Sequence, residues 1–167
     1  MRAKLHELGM CHSRRRTVKH IPEEYLTSSY EQRLELLAGL LDTDGCYDPQ
    51  KGTYVYSTCE PALRDGMIQL VSTFGWNHGI SRYDPKVSSS GVIGRSPCYT
   101  VTFAPKDNVP CVLERKKVKK IHNQLRIAII NIEYCEPVQG NCISVEDGIY
   151  CVGKTMLPTH NSTLTGQ

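Results

Sequence analysis

Apolar residues in the first part of the chain follow the spacing of alternating helices and strands. Leucines recur on successive turns over residues 30–41, which predicts a helix that begins after Ser28 and Ser29 and stops at Asp44 and Gly45. The other predicted elements are a helix at 1–9, a strand at 53–59, a helix at 61–74 and strands at 80–83 and 98–103. The order helix, two strands, helix, two strands predicts an α+β unit of roughly one hundred residues. The basic stretch after Pro110 is compatible with a further helix.

The pattern changes near residue 125, where helical spacing gives way to short β-type runs. These runs, interrupted by Pro137, Gly140, Gly148, Gly153 and Pro158, lie at 126–134, 141–145, 149–152 and 155–157. A second, β-rich piece is therefore predicted to begin there.

Composition narrows the class of protein. With 40% hydrophobic and 22% charged residues the chain can bury a core, which excludes wholesale disorder. No apolar run approaches the roughly 20 residues that a membrane helix needs, and residues 1–9 lack the apolar core of a secretory signal. We therefore expect a cytoplasmic protein in a bacterial or phage-infected cell. None of the eight cysteines forms a CxxC pair, so we expect mostly buried thiols, Cys151 among them, rather than disulfides or zinc.

The net charge of +3 predicts no particular partner, but the distribution of the charged residues along the chain is informative. One basic block surrounds Arg14, Arg15 and Arg16, and a second spans residues 115–120, with acidic residues between them. This arrangement suits a phosphate-binding surface around a metal-binding centre. Charge alone favours the simpler interpretation of two solvated faces.

Residues 37–45 read LAGLLDTDG, which closes the long predicted helix with Asp42 and Asp44. Ala38 and Gly39 are small enough to let another helix approach closely. Carboxylates at a helix C-terminus are unfavourable by a few tenths to about 1 kcal/mol unless a cation offsets them, as a divalent metal would. An ordinary Asp-Gly helix stop explains the local pattern equally well.

This segment resembles the motif of LAGLIDADG homing endonucleases, differing only at Leu41 and Thr43. The flanking segments 8–26 and 62–76 resemble those around the second of two such motifs in intein-borne enzymes. The resemblance implies that Asp44 binds Mg²⁺, that Lys19 lies near the active site, and that the two strand pairs form a saddle in the major groove of double-stranded DNA. The residues expected to contact DNA are Arg14, Arg15, Arg16, Lys116 and Lys117. Since these enzymes use two motif helices and only one is present, a second chain would have to supply the other.

His160, Asn161 and Ser162 form a second candidate site. An Asn side-chain amide can attack its own carbonyl and break the following peptide bond, with His160 placed to assist and the Ser162 hydroxyl placed to receive an acyl group. The same residues also begin an Asn-Ser-Thr glycosylation sequon, or are a chance string.

Residues 138–162 read VQGNCISVEDGIYCVGKTMLPTHNS and resemble the C-terminal splicing segment of inteins, which have a Hint fold. The resemblance implies that Asn161 is the last intein residue. Cys142 replaces the usual Asp and Thr159 precedes His160, as in the third mechanistic class, in which an internal cysteine attacks the upstream splice junction. Without the resemblance, Cys142 would be taken as a buried cysteine. Gly148 departs from the pattern, because many inteins have a helper His nearby.

The sequence therefore predicts the C-terminal part of an intein. An endonuclease half occupies residues 1–108, a basic linker 109–124, the splicing segment 125–161 and a stub of the host protein 162–167. The complementary N-terminal portion would be a separate split-intein partner, or this chain would be a truncated reading frame, and splicing needs no cofactor. The stub hints at a host with a phosphate-binding loop, such as a phage terminase large subunit. The alternative is a DNA-binding or regulatory protein of similar fold with neither cleavage nor splicing activity.

Overall fold

The computed structural model describes residues 2–7, 18–85, 91, 96–121, 131–140, 143–153 and 157–160. The helices are α1 (Arg2–Glu7), α2 (Glu23–Leu26), α3 (Tyr30–Asp44) and α4 (Pro61–Ser72). The strands are β1 (Gly45–Asp48), β2 (Thr53–Thr58), β3 (His78–Tyr83), β4 (Cys98–Phe103), β5 (Ile149–Val152) and β6 (Leu157–His160). The mixed α+β class is confirmed, as is the predicted order of α3, two strands, α4 and two strands.

The first four strands form one antiparallel sheet in the order β1-β2-β4-β3. Alternate residues of β2 and β4 face the helices, and Tyr54, Tyr56, Val101 and Phe103 are each at most 1% exposed. Buried apolar residues of α3 and α4 cover this face: Leu37, Ala38, Leu41, Leu63, Met67, Ile68, Leu70 and Val71. The helices therefore lie on one face of the sheet, and the opposite face is left uncovered by them.

Helix α3 begins after Ser29 and ends at Asp44, as the sequence predicts. Ser29 begins it with a capping box: its hydroxyl accepts a hydrogen bond from Gln32 N, and the Gln32 side chain accepts one from Ser29 N. The helix includes both acidic residues, and β1 follows directly at Gly45. The chain thus passes from helix to sheet at Asp44, without a loop.

Several predictions for the second half of the chain are wrong. Of the basic stretch after Pro110, only Glu114–Lys116 is helical, as a single 3-10 turn. Residues 131–134 and 143–145 form no strand. The strand Leu157–His160 continues beyond the predicted end at Leu157 and contains Pro158, whereas residues 155 and 156 lie outside the described residues. Proline is tolerated there because a two-stranded ribbon has only edge strands, so its missing N–H can face solvent.

The cysteines also differ from expectation. Among those in the described ranges, only Cys111 is buried, Cys98 is half-buried, and Cys46, Cys59, Cys135 and Cys151 are exposed. Cys151 is therefore not a core residue, because the β5–β6 hairpin lies in a part of the chain with few packing neighbours. Within the described ranges, no helix has the length and apolarity to cross a bilayer.

Candidate functional sites

A cavity of about 770 Å³ lies where the segment before α2 meets α3 and β2. Its polar lining includes Lys19, His20 and Asp44, and most of the remaining wall is apolar. The apolar lining residues are Val18, Ile21, Pro22, Leu36, Leu40 and Leu63, with Tyr25 and Tyr56 adding ring surface. The fold thus brings Lys19 and Asp44, which are far apart in sequence, to one concave surface.

Lys19 is held at this cavity by the residues that follow it. Ile21 is 8% exposed and packs against α4 at Gly66, where an added methyl group would lie 3.1 Å from the Ile21 side chain. Because glycine allows this close approach, the chain before α2 runs directly over α4. Lys19 itself is exposed, so its ammonium is accessible to an anionic ligand.

Asp44 occupies the last position of α3, and its side chain is exposed. Gly45 pairs with Tyr56 across β1 and β2, which places the Tyr56 ring close to the Asp44 carboxylate. Burial, with a smaller contribution from the charge of Asp44, raises the pKa of Tyr56 to about 12. The phenol beside Asp44 is therefore neutral at physiological pH.

Asp42, two residues earlier, has a different role. Its carboxylate accepts hydrogen bonds from the backbone N–H groups of Val112, at 2.7 Å, and Leu113, at 3.2 Å. These bonds attach the segment after the sheet to the end of α3. The two acidic residues of the motif thus separate into a structural carboxylate, Asp42, and an exposed one, Asp44.

Lys116 is not the exposed DNA-binding residue that the sequence predicts. It is 5% exposed, and its ammonium donates to the carbonyl oxygens of Leu41, at 2.6 Å, and Asp42, at 2.7 Å. The backbone carbonyl of Lys116 in turn accepts a hydrogen bond from the Tyr54 hydroxyl. A cation does offset the negative end of α3, as helix electrostatics requires, but it is this lysine.

Lys117, the next residue, does point to solvent. It forms an ion pair with Glu114 at 2.6 Å, which raises the pKa of the Lys117 ammonium and lowers that of the Glu114 carboxyl. Lys117 therefore remains a candidate for contact with phosphate. Arg14, Arg15 and Arg16 lie outside the described residues.

The uncovered face of the sheet is rich in hydroxyl groups. Ser57 and Thr100 oppose each other across β2 and β4, with their side-chain oxygens 3.3 Å apart. The register places Thr53, Ser81 and Thr102 on the same face. Hydroxyls both donate and accept hydrogen bonds, so these side chains can contact donors and acceptors alike. The resemblance implied a DNA-binding saddle formed by the two strand pairs, but it did not identify these individual residues.

One face of α3 also lacks a partner in the described structure. Leu36 and Leu40 are half-buried along the cavity, and Gly39 between them is exposed, with nothing within 4 Å of an added methyl group. Ala38 instead lies in the core beneath the helix. Close approach of a second helix would therefore involve Gly39 and not Ala38.

The side chains around Asp44 offer few ligands for Mg²⁺. The described residues contain no group of three or more His, Cys, Asp and Glu side chains that could hold a metal ion. Mg²⁺ commonly binds one or two protein carboxylates together with substrate phosphates and water. Asp44 fits this role as one ligand of a shared site, since Asp42 is already hydrogen-bonded to backbone.

The second candidate site lies at the β5–β6 hairpin. Thr159 pairs with Tyr150 and His160 with Ile149, so β6 carries the chain to the residue before Asn161. Gly148 has a φ of 66°, and an added methyl group there would lie 3.2 Å from Nε2 of His160. The imidazole thus packs directly on the glycine backbone. Cys142, Asn161 and Ser162 lie outside the described residues.

Comparison with known proteins gives one informative similarity. No family model matches the chain. It is 34% identical over 175 aligned residues to a replicative DNA helicase, DnaB, of Mycobacterium intracellulare. The alignment covers 94% of this chain but only 29% of the helicase. The similarity is therefore to a limited segment of a much longer protein.

Proposed function

We propose that this chain is the C-terminal part of an intein that carries half of a LAGLIDADG-type homing endonuclease. The observation that supports this most strongly is the similarity to 29% of a replicative helicase over 94% of the chain. An intein is translated inside its host protein, so an intein sequence is found under its host's name. This similarity also favours a replicative helicase over a phage terminase as the host protein.

The proposed splicing chemistry begins at Cys142. Its thiolate attacks the carbonyl of the upstream splice junction, releasing the amino end of the intein and holding the upstream flank as a thioester. The Ser162 hydroxyl then takes the acyl group and restores the Cys142 thiol. The amide of Asn161 attacks its own carbonyl, forms a succinimide and expels the Ser162 amine. An acyl shift from the Ser162 oxygen to that amine leaves a peptide bond.

His160 would protonate the departing Ser162 amine or polarise the Asn161 carbonyl. The contact with Gly148 supports this role, because it fixes the ring immediately before the scissile bond without a second histidine. Thr159, paired with Tyr150 on the neighbouring strand, would hold the backbone that leads to the junction.

The endonuclease role rests on the cavity that Lys19 and Asp44 share. Asp44 would be one ligand of Mg²⁺, which when bound polarises the phosphate and lowers the pKa of an attacking water. The Lys19 ammonium would bind the scissile phosphate and stabilise its developing charge. The hydroxyl-rich face of the sheet would lie in the major groove, with Lys117 and the arginines at positions 14–16 contacting phosphates. A second motif helix would pack on Gly39.

Splicing can be tested by co-expression with the segment of the M. intracellulare helicase that precedes the matched region. Intact-mass analysis is expected to show the two host flanks joined. Asn161→Ala should prevent release of the intein, and Cys142→Ala should abolish the branched intermediate. Cys135→Ala is the matched control, since it removes an exposed thiol of the same region. Normal splicing of Cys142→Ala would remove the third-class mechanism but leave the intein assignment.

Cleavage is tested on a DNA duplex that joins the host-gene sequences on either side of the insertion, with Mg²⁺ or EDTA. Asp44→Asn in the assembled pair should abolish cleavage and retain binding, whereas Asp65→Asn, at a half-buried carboxylate on α4 that pairs with Arg64, should cleave normally. Equal activity in both variants would remove Asp44 from the mechanism. Binding without cleavage by the wild type, together with failure to splice, would favour the regulatory alternative.

A further inference from the structure

Two cysteines face each other at one end of the central strands of the sheet. The β2–β4 register runs from Tyr54 opposite Phe103 to Thr58 opposite Tyr99. Continuing this register by one step brings Cys59, at the bend directly after β2, opposite Cys98, the first residue of β4. Because side chains alternate between faces, both share the uncovered face with Ser57 and Thr100.

The two thiols lie near each other. The Cys59 thiol contributes to the raised pKa of the Cys98 thiol, and neither thiol is part of a disulfide. Cys59 is exposed and Cys98 is half-buried. The neighbouring pair, Ser57 and Thr100, has its side-chain oxygens only 3.3 Å apart, so side chains on this face approach closely across β2 and β4.

The backbone geometry suits a bridge at this position. Opposed residues of an antiparallel pair have Cα atoms about 4.5–5.5 Å apart. Disulfides span Cα separations of about 4.4–6.8 Å. A bond between the two sulfur atoms therefore requires side-chain rotation and no large movement of either strand.

We propose that Cys59 and Cys98 form a reversible disulfide when the chain meets a low-molecular-weight disulfide such as oxidised glutathione. The exposed Cys59 thiolate attacks one glutathione sulfur, which forms a mixed disulfide and releases one glutathione thiolate. Cys98 then loses its proton to solvent and attacks the Cys59 sulfur, which forms the internal disulfide and releases the second glutathione. Two protein thiols are oxidised and one glutathione disulfide is reduced to two thiols.

The order of attack follows from exposure. Burial, with a smaller contribution from Cys59, raises the pKa of the Cys98 thiol, so Cys98 is a poor first nucleophile. It is nevertheless well placed to resolve a mixed disulfide on its neighbour. The product would join β2 to β4, which are the strands that connect the two halves of the sheet. It would therefore stabilise the folded state against unfolding.

The experiment uses the whole chain and does not depend on splicing or cleavage. The folded protein is incubated with oxidised glutathione, alkylated, digested and analysed by mass spectrometry for cross-linked peptides. We expect the Cys59–Cys98 peptide to predominate and the melting temperature to rise by roughly 5 °C or more. Dithiothreitol should reverse both changes.

Matched variants make the result specific. Cys59→Ser and Cys98→Ser should each lose the oxidative rise in melting temperature. Cys46→Ser should retain it, because Cys46 is exposed on the same face of the sheet but lies on β1. The proposal is overturned if other pairs dominate, if glutathione remains attached as a mixed disulfide, or if Cys59→Ser keeps the rise.

Discussion

The region of residues 18–121 and the region of residues 131–160 differ in how they bury apolar side chains. The first has a continuous core in which Leu37, Leu41 and Phe103 are at most 1% exposed. In the second, no described side chain is buried, and Ile132, Tyr134 and Val138 are each more than 80% exposed. The helices and the sheet of the first region thus pack against each other to form its core. In the described part of the second region, the apolar side chains have no such core to pack into.

This difference parallels the two resemblances. On the proposed function, the first region would be an endonuclease half with its own sheet and helices, and it would need a second half only at α3 and the DNA. A splicing segment contributes a few strands to a domain whose remaining strands come from the N-terminal half. Isolated two-stranded hairpins are marginally stable in water. We therefore expect β5 and β6 to gain their packing from that complementary portion.

The largest expected effect is the difference in the free energy of unfolding between a core substitution in the first region and a matched substitution in the second. Leu37→Ala removes a fully buried side chain and should lower the free energy of unfolding by about 2–5 kcal/mol. Ile149→Ala, at a side chain 59% exposed, should change it by less than about 0.5 kcal/mol. Urea unfolding monitored by circular dichroism measures both. A comparable loss for Ile149→Ala would show that the hairpin already packs on a core.

The neighbouring lysines Lys116 and Lys117 sharpen the comparison within the first region. Lys116→Met leaves the carbonyl oxygens of Leu41 and Asp42 without their donor and should cost about 1–3 kcal/mol of unfolding free energy. Lys117→Met should leave the melting temperature unchanged. It should weaken DNA binding and make the binding affinity less dependent on salt concentration. If instead Lys116→Met weakened DNA binding without loss of stability, the buried role of Lys116 would be wrong.

Two glycines test the second region. Gly148 and Gly153 both have positive φ, but only at Gly148 would a methyl group meet His160. In the complemented protein, Gly148→Ala should slow Asn161 cyclisation by on the order of tenfold or more relative to Gly153→Ala, since small displacements at a reacting group reduce rates strongly. Single-turnover release followed by mass spectrometry gives the rates. Equal rates would mean that the contact does not position the imidazole.

The smallest expected effect is at the start of α3. Ser29→Ala removes the cap from Gln32 N and should lower the free energy of unfolding by about 1 kcal/mol. Ser29→Asp, which can also accept this hydrogen bond, should restore it. A melting temperature unaffected by Ser29→Ala would indicate that tertiary packing alone determines the start of the helix.

The sequence predicted the elements whose periodicity is strong and local. The helix of Tyr30–Asp44, the strand Cys98–Phe103 and the order of elements between them follow from spacing and turn residues. The burial of Lys116 could not be predicted, because it depends on a long-range contact that returns a basic segment to the end of α3. The structural role of Asp42 could not be predicted for the same reason, since only the fold brings Val112 N to its carboxylate.

Some residues of the candidate sites were predicted from the sequence, and others were not. Lys19 and Asp44 were assigned from a resemblance, and the fold places both at one cavity. The hydroxyl-rich face and the opposition of Cys59 to Cys98 depend on strand register, which requires knowing which strands pair. The last strand was predicted to end at Leu157 because proline was treated as a strand breaker, although an edge position accommodates Pro158.

The account depends most on the reactivity of Asn161, and the mass of the released chain tests it directly. Complemented by the N-terminal portion, the chain should release its last six residues from the Asn161–Ser162 bond. If the side-chain amide breaks that bond, the fragment ending at Asn161 carries a succinimide and is lighter than the hydrolysis product by one water molecule. Absence of the cut, or a fragment that already has the full mass of a hydrolysed chain at the earliest times, before a succinimide could take up water, would contradict splicing.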